Sequence, residues 1–130
     1  MPNQKNKFNI ANTTKGKLPR LPFMRIKNAA LGKNFSLSLV FVGDALSKKL
    51  NYSYRHKNRP ANVLSFPLGK NEGEIFINLM QAWREAPRYE RSFPNFVGFL
   101  FIHGCIHLKG FKHSSRMEGI EKKLRRKFRI

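Results

Sequence analysis

The chain has 130 residues, 41% of them hydrophobic and 12 of them phenylalanine, which is enough for one buried core and hardly for two. A single cysteine excludes an intramolecular disulfide, and the absence of any uninterrupted apolar stretch of about 18 residues argues against a membrane span. The 26 Lys and Arg residues against 7 Asp and Glu give a net charge of +19, which predicts a polyanionic partner.

Nucleic acid is the better candidate for that partner, because the basic run near residues 122–129 has few apolar neighbours with which to enter a membrane surface. Such a run can also be an ordinary solvated helix face in an organism with a Lys-rich proteome. The polar, basic N-terminus lacks the apolar region of a signal peptide. We therefore expect a single cytoplasmic domain over residues 1–130 with no membrane association.

The first half of the chain predicts two strands and two helices. Residues 1–22 form a basic segment that is partly extended, with a short strand around residues 8–11. Residues 23–31 have apolar side chains at helical spacing, and Gly32 is suited to end that helix. Residues 35–43 have the alternation of a strand, after which Asp44 is expected to cap a helix that runs to about Tyr54.

The second half predicts a hairpin and three helices. Strands at 62–66, ended by Pro67, and at 74–78 are joined by a turn within 69–73. A short helix covers 79–85, and Ser92 with Pro94 starts a longer one that Gly110 ends. Ser114 or Ser115 is expected to cap a final helix.

Two histidines on the longer helix are the first chemical signal. His103 and His107 are four residues apart, so both rings lie on one helix face with Cβ atoms roughly 5–6 Å apart. Gly110 lets the chain turn back and bring His113 to the same point. Three imidazoles with one open position are typical of a catalytic zinc site, although an isolated pair of histidines can equally be core or capping residues.

The spacing matches the zinc motif of the metzincin proteases. In those enzymes a glutamate follows the first histidine and acts as the general base, whereas this chain has Gly104. The sequence therefore argues against peptide hydrolysis by that mechanism. Cys105 lies on another helix face and is interpreted as a small core residue. Trp83 and the phenylalanines are able to stack on bases, but core packing is the expected role of nearly all of them.

Three blocks of the sequence resemble the YbeY family of bacterial endoribonucleases. The family signature His-Gly-x-Leu-His-Leu-x-Gly-Tyr-Asp-His is similar to His103-Gly-Cys-Ile-His-Leu-Lys-Gly-Phe-Lys-His113. The second block contains Leu50-Asn51, Tyr54-Arg55, Pro60 and Val63-Leu-Ser-Phe-Pro67, and the third is Gly73-Glu-Ile-Phe-Ile77. The blocks occur in the family's order and span residues 50–113.

The resemblance implies an α/β (α+β) fold, with a small mixed sheet of about four strands packed against several helices. It implies a zinc-dependent endoribonuclease, selective for single strands, that acts in ribosomal RNA maturation at the 3′ end of the small-subunit RNA and in ribosome quality control. One Zn²⁺ would be held by His103, His107, His113 and water, and Arg55 would face it across a cleft. RNA, and the ribosome or its proteins, would be the partners.

Two acidic positions of the family are lost here, since Lys112 precedes the third histidine and Ala61-Asn62 replaces Thr-Asp. Glu118 or Glu121 is a candidate to accept the second N–H of a ligating histidine, unless it only pairs with neighbouring lysines. Without the family match, Arg55 would be as well explained as a surface arginine at a helix end. Two other functions remain open: a ribosome-associated RNA-binding factor with a structural zinc, and a zinc hydrolase of another substrate, which the charge disfavours.

Overall fold

A four-stranded sheet organises the chain, in a computed structural model that describes residues 7–110 and 115–130. The strands are β1 (Phe8–Asn12), β2 (Ser36–Val42), β3 (Val63–Gly69) and β4 (Glu72–Asn78). The helices are α1 (Phe23–Leu31), α2 (Asp44–Arg55), α3 (Leu79–Glu85), α4 (Phe93–Leu108) and α5 (Ser115–Phe128), with a short 3₁₀ helix at Ala86–Tyr89. The α/β class predicted from the sequence is confirmed, and the 3₁₀ turn is the one element in this range that the sequence did not predict.

The sheet is mixed, with strand order β1-β2-β4-β3. Strands β1 and β2 pair in parallel, as do β2 and β4, while β3 and β4 form an antiparallel hairpin. The hairpin turn is only Lys70 and Asn71, shorter than the predicted 69–73. Strand β3 therefore lies at one edge of the sheet, and its outer side has no strand partner among the described residues.

The predicted end of β3 at Pro67 is wrong, because the strand continues to Gly69. Proline cannot donate to a neighbouring strand, so a proline in an edge strand is tolerated where its nitrogen faces away from the ladder. The register with β4 shifts between Pro67 and Gly69, which accommodates the ring.

The main core lies between one face of the sheet and the helices α1, α4 and α5. Alternate residues of the two central strands point into it: Leu37, Leu39, Ile75 and Ile77 are at most 2% exposed. Helix α4 is buried around most of its circumference, which explains its almost continuous apolar sequence. Cys105 is a core residue, as predicted, and burial raises the pKa of its thiol far above the ordinary value.

The boundaries of three helices test the caps predicted from the sequence. Ser92 caps α4, since its hydroxyl accepts from the Asn95 N–H at 3.2 Å, and Gly110 follows that helix with a positive φ of 97°. The predicted cap at Asp44 is wrong, because Gly43 occupies the N-cap position and Asp44 is the first helical residue. The alternative cap Ser114 lies outside the described residues, and α5 begins at Ser115.

The Asp44 carboxylate instead joins α2 to the region around α3. It accepts from Asn78 Nδ2 at 2.9 Å and from Arg84 Nη2 at 2.7 Å. In the part of the chain that the structure describes, no helix is both long and apolar enough to span a bilayer.

Candidate metal centre

The last two turns of α4 bring His103 and His107 together, as their spacing predicts. Their Nε2 atoms are 2.9 Å apart and their ring centroids 4.5 Å apart. Both residues are partly exposed, whereas Gly104, Cys105 and Ile106 between them are buried. The helix therefore presents two imidazole edges to solvent while its intervening residues pack in the core.

Glu121 on α5 fixes the orientation of His103. Its Oε1 atom lies 2.7 Å from His103 Nδ1, and the glutamate is only 7% exposed. A carboxylate can only accept a hydrogen bond, so the proton of a neutral His103 is on Nδ1 and the lone pair on Nε2. Of the two acids suggested by the sequence, Glu121 makes this contact, and the lone pair that it selects is the one a metal requires.

Two further side chains support Glu121. Arg125 Nη1 donates to Glu121 Oε2 over 3.5 Å, and the Arg125 guanidinium lies 5.3 Å from the centre of the Phe99 ring. The Arg91 guanidinium also lies over Phe99, at 4.5 Å. This support was not predicted from the sequence, because Arg125 belongs to a basic run. Its spacing of four residues from Glu121 nevertheless favours an ion pair on one helix face.

Gly104 is required by the packing of α4 on the sheet. A Cβ atom there would lie 3.0 Å from Ser65 Oγ and 3.2 Å from two carbons of Ile75. The Ser65 hydroxyl donates to the Gly104 carbonyl at 3.2 Å, which holds the helix against β3. A glutamate at this position, the general base of the metzincin proteases, would press its Cβ atom against Ser65 and Ile75.

A cleft of about 920 Å³ contains the histidine pair and Arg55. Its walls also include the edge strand β3, Tyr54, and the two acids Glu118 and Glu121 of α5. Arg55 is exposed in the last turn of α2, which ends at His56 with a left-handed backbone. The three sequence-predicted residues Arg55, His103 and His107 therefore line one cleft.

The loop between α2 and β3 is tied to α2 by two buried polar residues. The Ser47 hydroxyl donates to the Ala61 carbonyl at 2.8 Å, and it accepts from the Ala61 N–H at 2.9 Å. The Asn51 amide donates to the Arg59 carbonyl at 2.9 Å. These contacts fix the end of α2, and with it Arg55, relative to β3.

Asn62, one of the departures from the family pattern, has a defined partner in the cleft wall. Its amide donates to Glu85 Oε1 at 2.8 Å, while Gln81 donates to Glu85 Oε2 at 2.6 Å. An aspartate at position 62 would place two carboxylates within hydrogen-bonding distance. The Asn62 amide, which can donate, is thus suited to the Glu85 carboxylate, which can only accept. Lys112, the second departure from the family pattern, lies outside the described residues.

The third expected ligand, His113, also lies outside the described residues. Among residues 7–110 and 115–130, no group of three or more His, Cys, Asp or Glu side chains is arranged to hold a metal ion. Two imidazole nitrogens on one tetrahedral zinc are roughly 3.3 Å apart, since each Zn–N bond is about 2.0–2.1 Å. The 2.9 Å pair, in which Glu121 orients His103, therefore fits two ligands of one ion after a small outward shift.

The expectation of core packing is wrong for Trp83, which is 67% exposed on α3 and touches Phe93 at 5.5 Å between ring centres. Six of the eleven phenylalanines in the described range are buried as expected, with Phe41, Phe96 and Phe101 fully enclosed, and the other five are half-buried. Helix α3 is only seven residues long, and its buried residues are Leu79 and Ala82, so the next position points outward.

Comparisons with known proteins agree with this architecture. The solution structure of a Thermotoga maritima protein superposes with a TM-score of 0.65, covering 94% of this chain and 91% of that one at 24% identity. A protein named Endoribonuclease YbeY from Thermodesulfovibrio yellowstonii is 34% identical over 118 residues, 81% of this chain and 72% of that protein. Its namesake from Pelotomaculum thermopropionicum is 32% identical over 136 aligned positions, covering 96% and 88%.

Another protein of that name, from Mycoplasma capricolum, is 37% identical over 93 residues, which are 63% of this chain. The match spans only 57% of that relative, little more than half of its length. The family model described as Endoribonuclease YbeY matches residues 1–129. This chain therefore belongs to the YbeY family.

Proposed function

We propose that this protein is a metal-dependent endoribonuclease that cleaves single-stranded RNA, with zinc as its metal. The observation that carries the proposal is the pair His103 and His107, whose Nε2 atoms are 2.9 Å apart in an open cleft that Arg55 also lines. The names of the relatives support an endoribonuclease activity, and the donor chemistry supports the metal.

The three histidines and Glu121 have defined tasks in this proposal. His103 and His107 hold the ion through Nε2, and His113 is the third ligand. When bound, zinc would lower the pKa of a coordinated water towards neutrality, and it would thereby supply a base near the scissile phosphate. Glu121 keeps the His103 proton on Nδ1, so that Nε2 stays available to the metal.

Arg55 binds the phosphate in this proposal. A guanidinium is planar and donates two parallel hydrogen bonds to phosphate oxygens, which also stabilises charge that develops in the transition state. Arg55 is exposed and held by the anchored end of α2, so a phosphate can reach it from solvent. The net charge of +19 would attract the RNA and concentrate it at the cleft.

The substrate is proposed more narrowly as ribosomal RNA in the cytoplasm. Maturation of the 3′ end of the small-subunit RNA and ribosome quality control are the roles that the family resemblance implies, with the ribosome or its proteins as partners. Two features support an RNA substrate over a small molecule: the excess of basic residues and an open cleft of about 920 Å³.

The test is cleavage of a single-stranded ribosomal RNA fragment by metal-loaded wild type and by His107→Ala, with metal content measured in parallel by elemental analysis. We expect the variant to lose both bound zinc and cleavage. The matched control is His56→Asn, because His56 lies outside the cleft lining and asparagine tolerates its left-handed backbone. This control should keep both properties.

Equal cleavage by wild type and His107→Ala would identify a contaminating nuclease and contradict the proposal. Zinc binding and RNA binding without cleavage by wild type would instead identify an RNA-binding factor with a structural zinc. A zinc protein that neither binds nor cleaves RNA would be a hydrolase of another substrate, a result that the charge makes unexpected.

A further inference from the structure

Two aromatic rings form an exposed shelf at the cleft, made by Tyr54 of α2 and Phe66 of β3. Their ring centres are 4.7 Å apart and the rings are tilted by 43°. Tyr54 is 65% exposed, and Phe66 is supported from below by Phe76 of β4, at 5.7 Å. The shelf therefore rests on the sheet and leaves a large part of the tyrosine accessible to a ligand.

The shelf lies on the opposite face of β3 from the histidines. Phe66 and Ser65 are adjacent in the strand and point to opposite faces, and Ser65 contacts Gly104 between the two histidines. Both sets of residues nevertheless line one cleft, which extends around the outer edge of β3. Arg55 directly follows Tyr54 in the last turn of α2, so the phosphate-binding candidate and the shelf are neighbours.

We propose that this aromatic shelf stacks one nucleobase of the bound RNA, at a nucleotide next to the phosphate that Arg55 and the histidines receive. The inference rests on the proposed function and deepens it. Every base has a π-face, so stacking tolerates any sequence. A base within a duplex is already stacked on both sides, so the shelf selects for single strands.

Other aromatics of the described region are less suited to this role. Trp83 is 67% exposed but is absent from the cleft lining. Phe99 on the α4 side of the cleft has guanidinium groups of both Arg91 and Arg125 against its ring. Tyr89 is less exposed than Tyr54, at 53% against 65%, and its ring contacts both Phe96 and Phe99. Tyr52 is 57% exposed on the same helix as Tyr54 but is absent from the cleft lining and contacts His56 instead. Tyr52 therefore provides a matched control.

The experiment uses the metal-loaded full chain and single-stranded RNA oligonucleotides with 2-aminopurine placed at successive positions. Stacking on an aromatic ring quenches the fluorescence of this base, and rapid mixing reports it before turnover. We expect quenching at one position with wild type and with Tyr54→Phe, and its loss with Tyr54→Leu. Tyr52→Leu should behave as wild type, and the fluorescence of a duplex of the same sequence, which base stacking already quenches, should not change when the protein is added.

The cleavage assay gives a second readout. In single-turnover reactions, Tyr54→Leu should raise the half-saturating protein concentration by roughly 5- to 150-fold, the range expected for the loss of one stacked base. The maximal rate should change much less, because the shelf is not at the reacting phosphate. Tyr54→Phe should restore wild-type values, since the ring and not the hydroxyl provides the stacking.

If Tyr54→Leu quenches the fluorescence as wild type does and has the same half-saturating concentration, the stacking proposal is wrong, while the nuclease proposal stands. Quenching that depends on Tyr54 in a wild-type protein that does not cleave would overturn the nuclease and leave the shelf. Equal losses in Tyr54→Leu and Tyr52→Leu would also refute the proposal, because they would reflect a general disturbance of α2.

Discussion

The Glu121 carboxylate on α5 accepts from His103 Nδ1 on α4 over 2.7 Å, although the two residues are 18 positions apart. This contact joins the two helices beside the candidate metal centre and sets the tautomer of a proposed ligand. Glu121 is itself held by Arg125, which packs against Phe99 on the same helix as His103. Helices α4 and α5 are thus joined by two contacts, Glu121 with His103 and Arg125 with Phe99.

Glu121→Gln should weaken metal binding by roughly 10- to 100-fold, the usual cost of losing the group that orients a metal-ligating histidine. Glutamine can still accept from Nδ1, but it is neutral and leaves the imidazole a weaker donor to the metal. A competition titration of zinc against a chromophoric chelator measures the affinity. Glu118→Gln, one turn earlier on α5 and exposed, should have a much smaller effect. Equal losses in the two variants would show that Glu121 has no special role.

Sequence periodicity predicted most of the fold because most helices and strands bury one face. The apolar residues of that face recur at the spacing typical of each element. It placed the first helix and α3 at their observed bounds and put His103 and His107 on one face of α4. Its error at Pro67 arose because proline ends a central strand but not an edge strand, and strand order is a tertiary property.

The site was less predictable than the fold because several of its contacts join distant segments. Periodicity cannot show that Glu121 rather than Glu118 reaches His103, or that Asn62 pairs with Glu85 across 23 positions. Likewise, Gly104 matched the family signature, but its physical reason is visible only in the contact of α4 with Ser65 and Ile75. The role assigned to His113 stays a prediction.

Gly104→Ala should destabilise the protein by about 1–3 kcal/mol, the typical cost of overpacking a tight interface. The new methyl would lie 3.0 Å from Ser65 Oγ and 3.2 Å from Ile75. Urea denaturation followed by circular dichroism measures the change. Gly119→Ala is the matched control: its methyl meets nothing within 4 Å inside α5, so it should stabilise by about 0.5–1 kcal/mol. Gly104→Ala as stable as wild type would disprove the close packing.

Asp44 should make a small contribution to stability that acid removes. The Arg84 hydrogen bond, helped by Asn78, lowers the pKa of Asp44 below its ordinary value of 3.8. The contribution is therefore present above pH 3.8 and is lost as the pH falls from there through the lowered pKa. Both partners are about 40% exposed, so its size is below about 1 kcal/mol.

Urea denaturation of wild type and Asp44→Asn between pH 7 and acid measures this contribution as the difference between the two proteins. The difference should shrink as the pH falls, because a protonated Asp44 resembles asparagine. When Arg84 is replaced by Met, Asp44→Asn should change the stability at neutral pH much less than it does in wild type, since the Arg84 guanidinium is the main cause of the lowered pKa. A difference that is constant with pH would contradict the assignment.

Lys27→Met should stabilise the protein at neutral pH by roughly 1 kcal/mol or more, because Lys27 is buried and no carboxylate of the described residues is hydrogen-bonded to its amine. The residue is 1% exposed, and its Nζ donates to the Lys33 carbonyl at 3.2 Å and, over 3.4 Å, to Asn28. Burial lowers the pKa of Lys27, so wild type gains stability as the pH rises towards the ordinary value of 10.5. The advantage of the variant should therefore shrink in alkali, as thermal or urea denaturation would show. A less stable Lys27→Met would mean that the Lys33 hydrogen bond outweighs the cost of burial.

Arg55→Lys should slow RNA cleavage by roughly 10- to 100-fold, because lysine keeps the charge but loses the fork that binds two phosphate oxygens, an interaction of about 1.5–3 kcal/mol. Arg55→Ala should lose more, and should also reduce the salt dependence of single-strand binding by about 0.7 in the logarithmic slope. Arg59→Lys is the control, since Arg59 lies in the adjacent loop outside the cleft lining and only its carbonyl is held, by Asn51. Cleavage rates for the three variants at two salt concentrations separate charge from geometry. If Arg55→Lys cleaves as fast as Arg59→Lys, Arg55 acts only as a surface charge, and the bidentate phosphate contact must be abandoned.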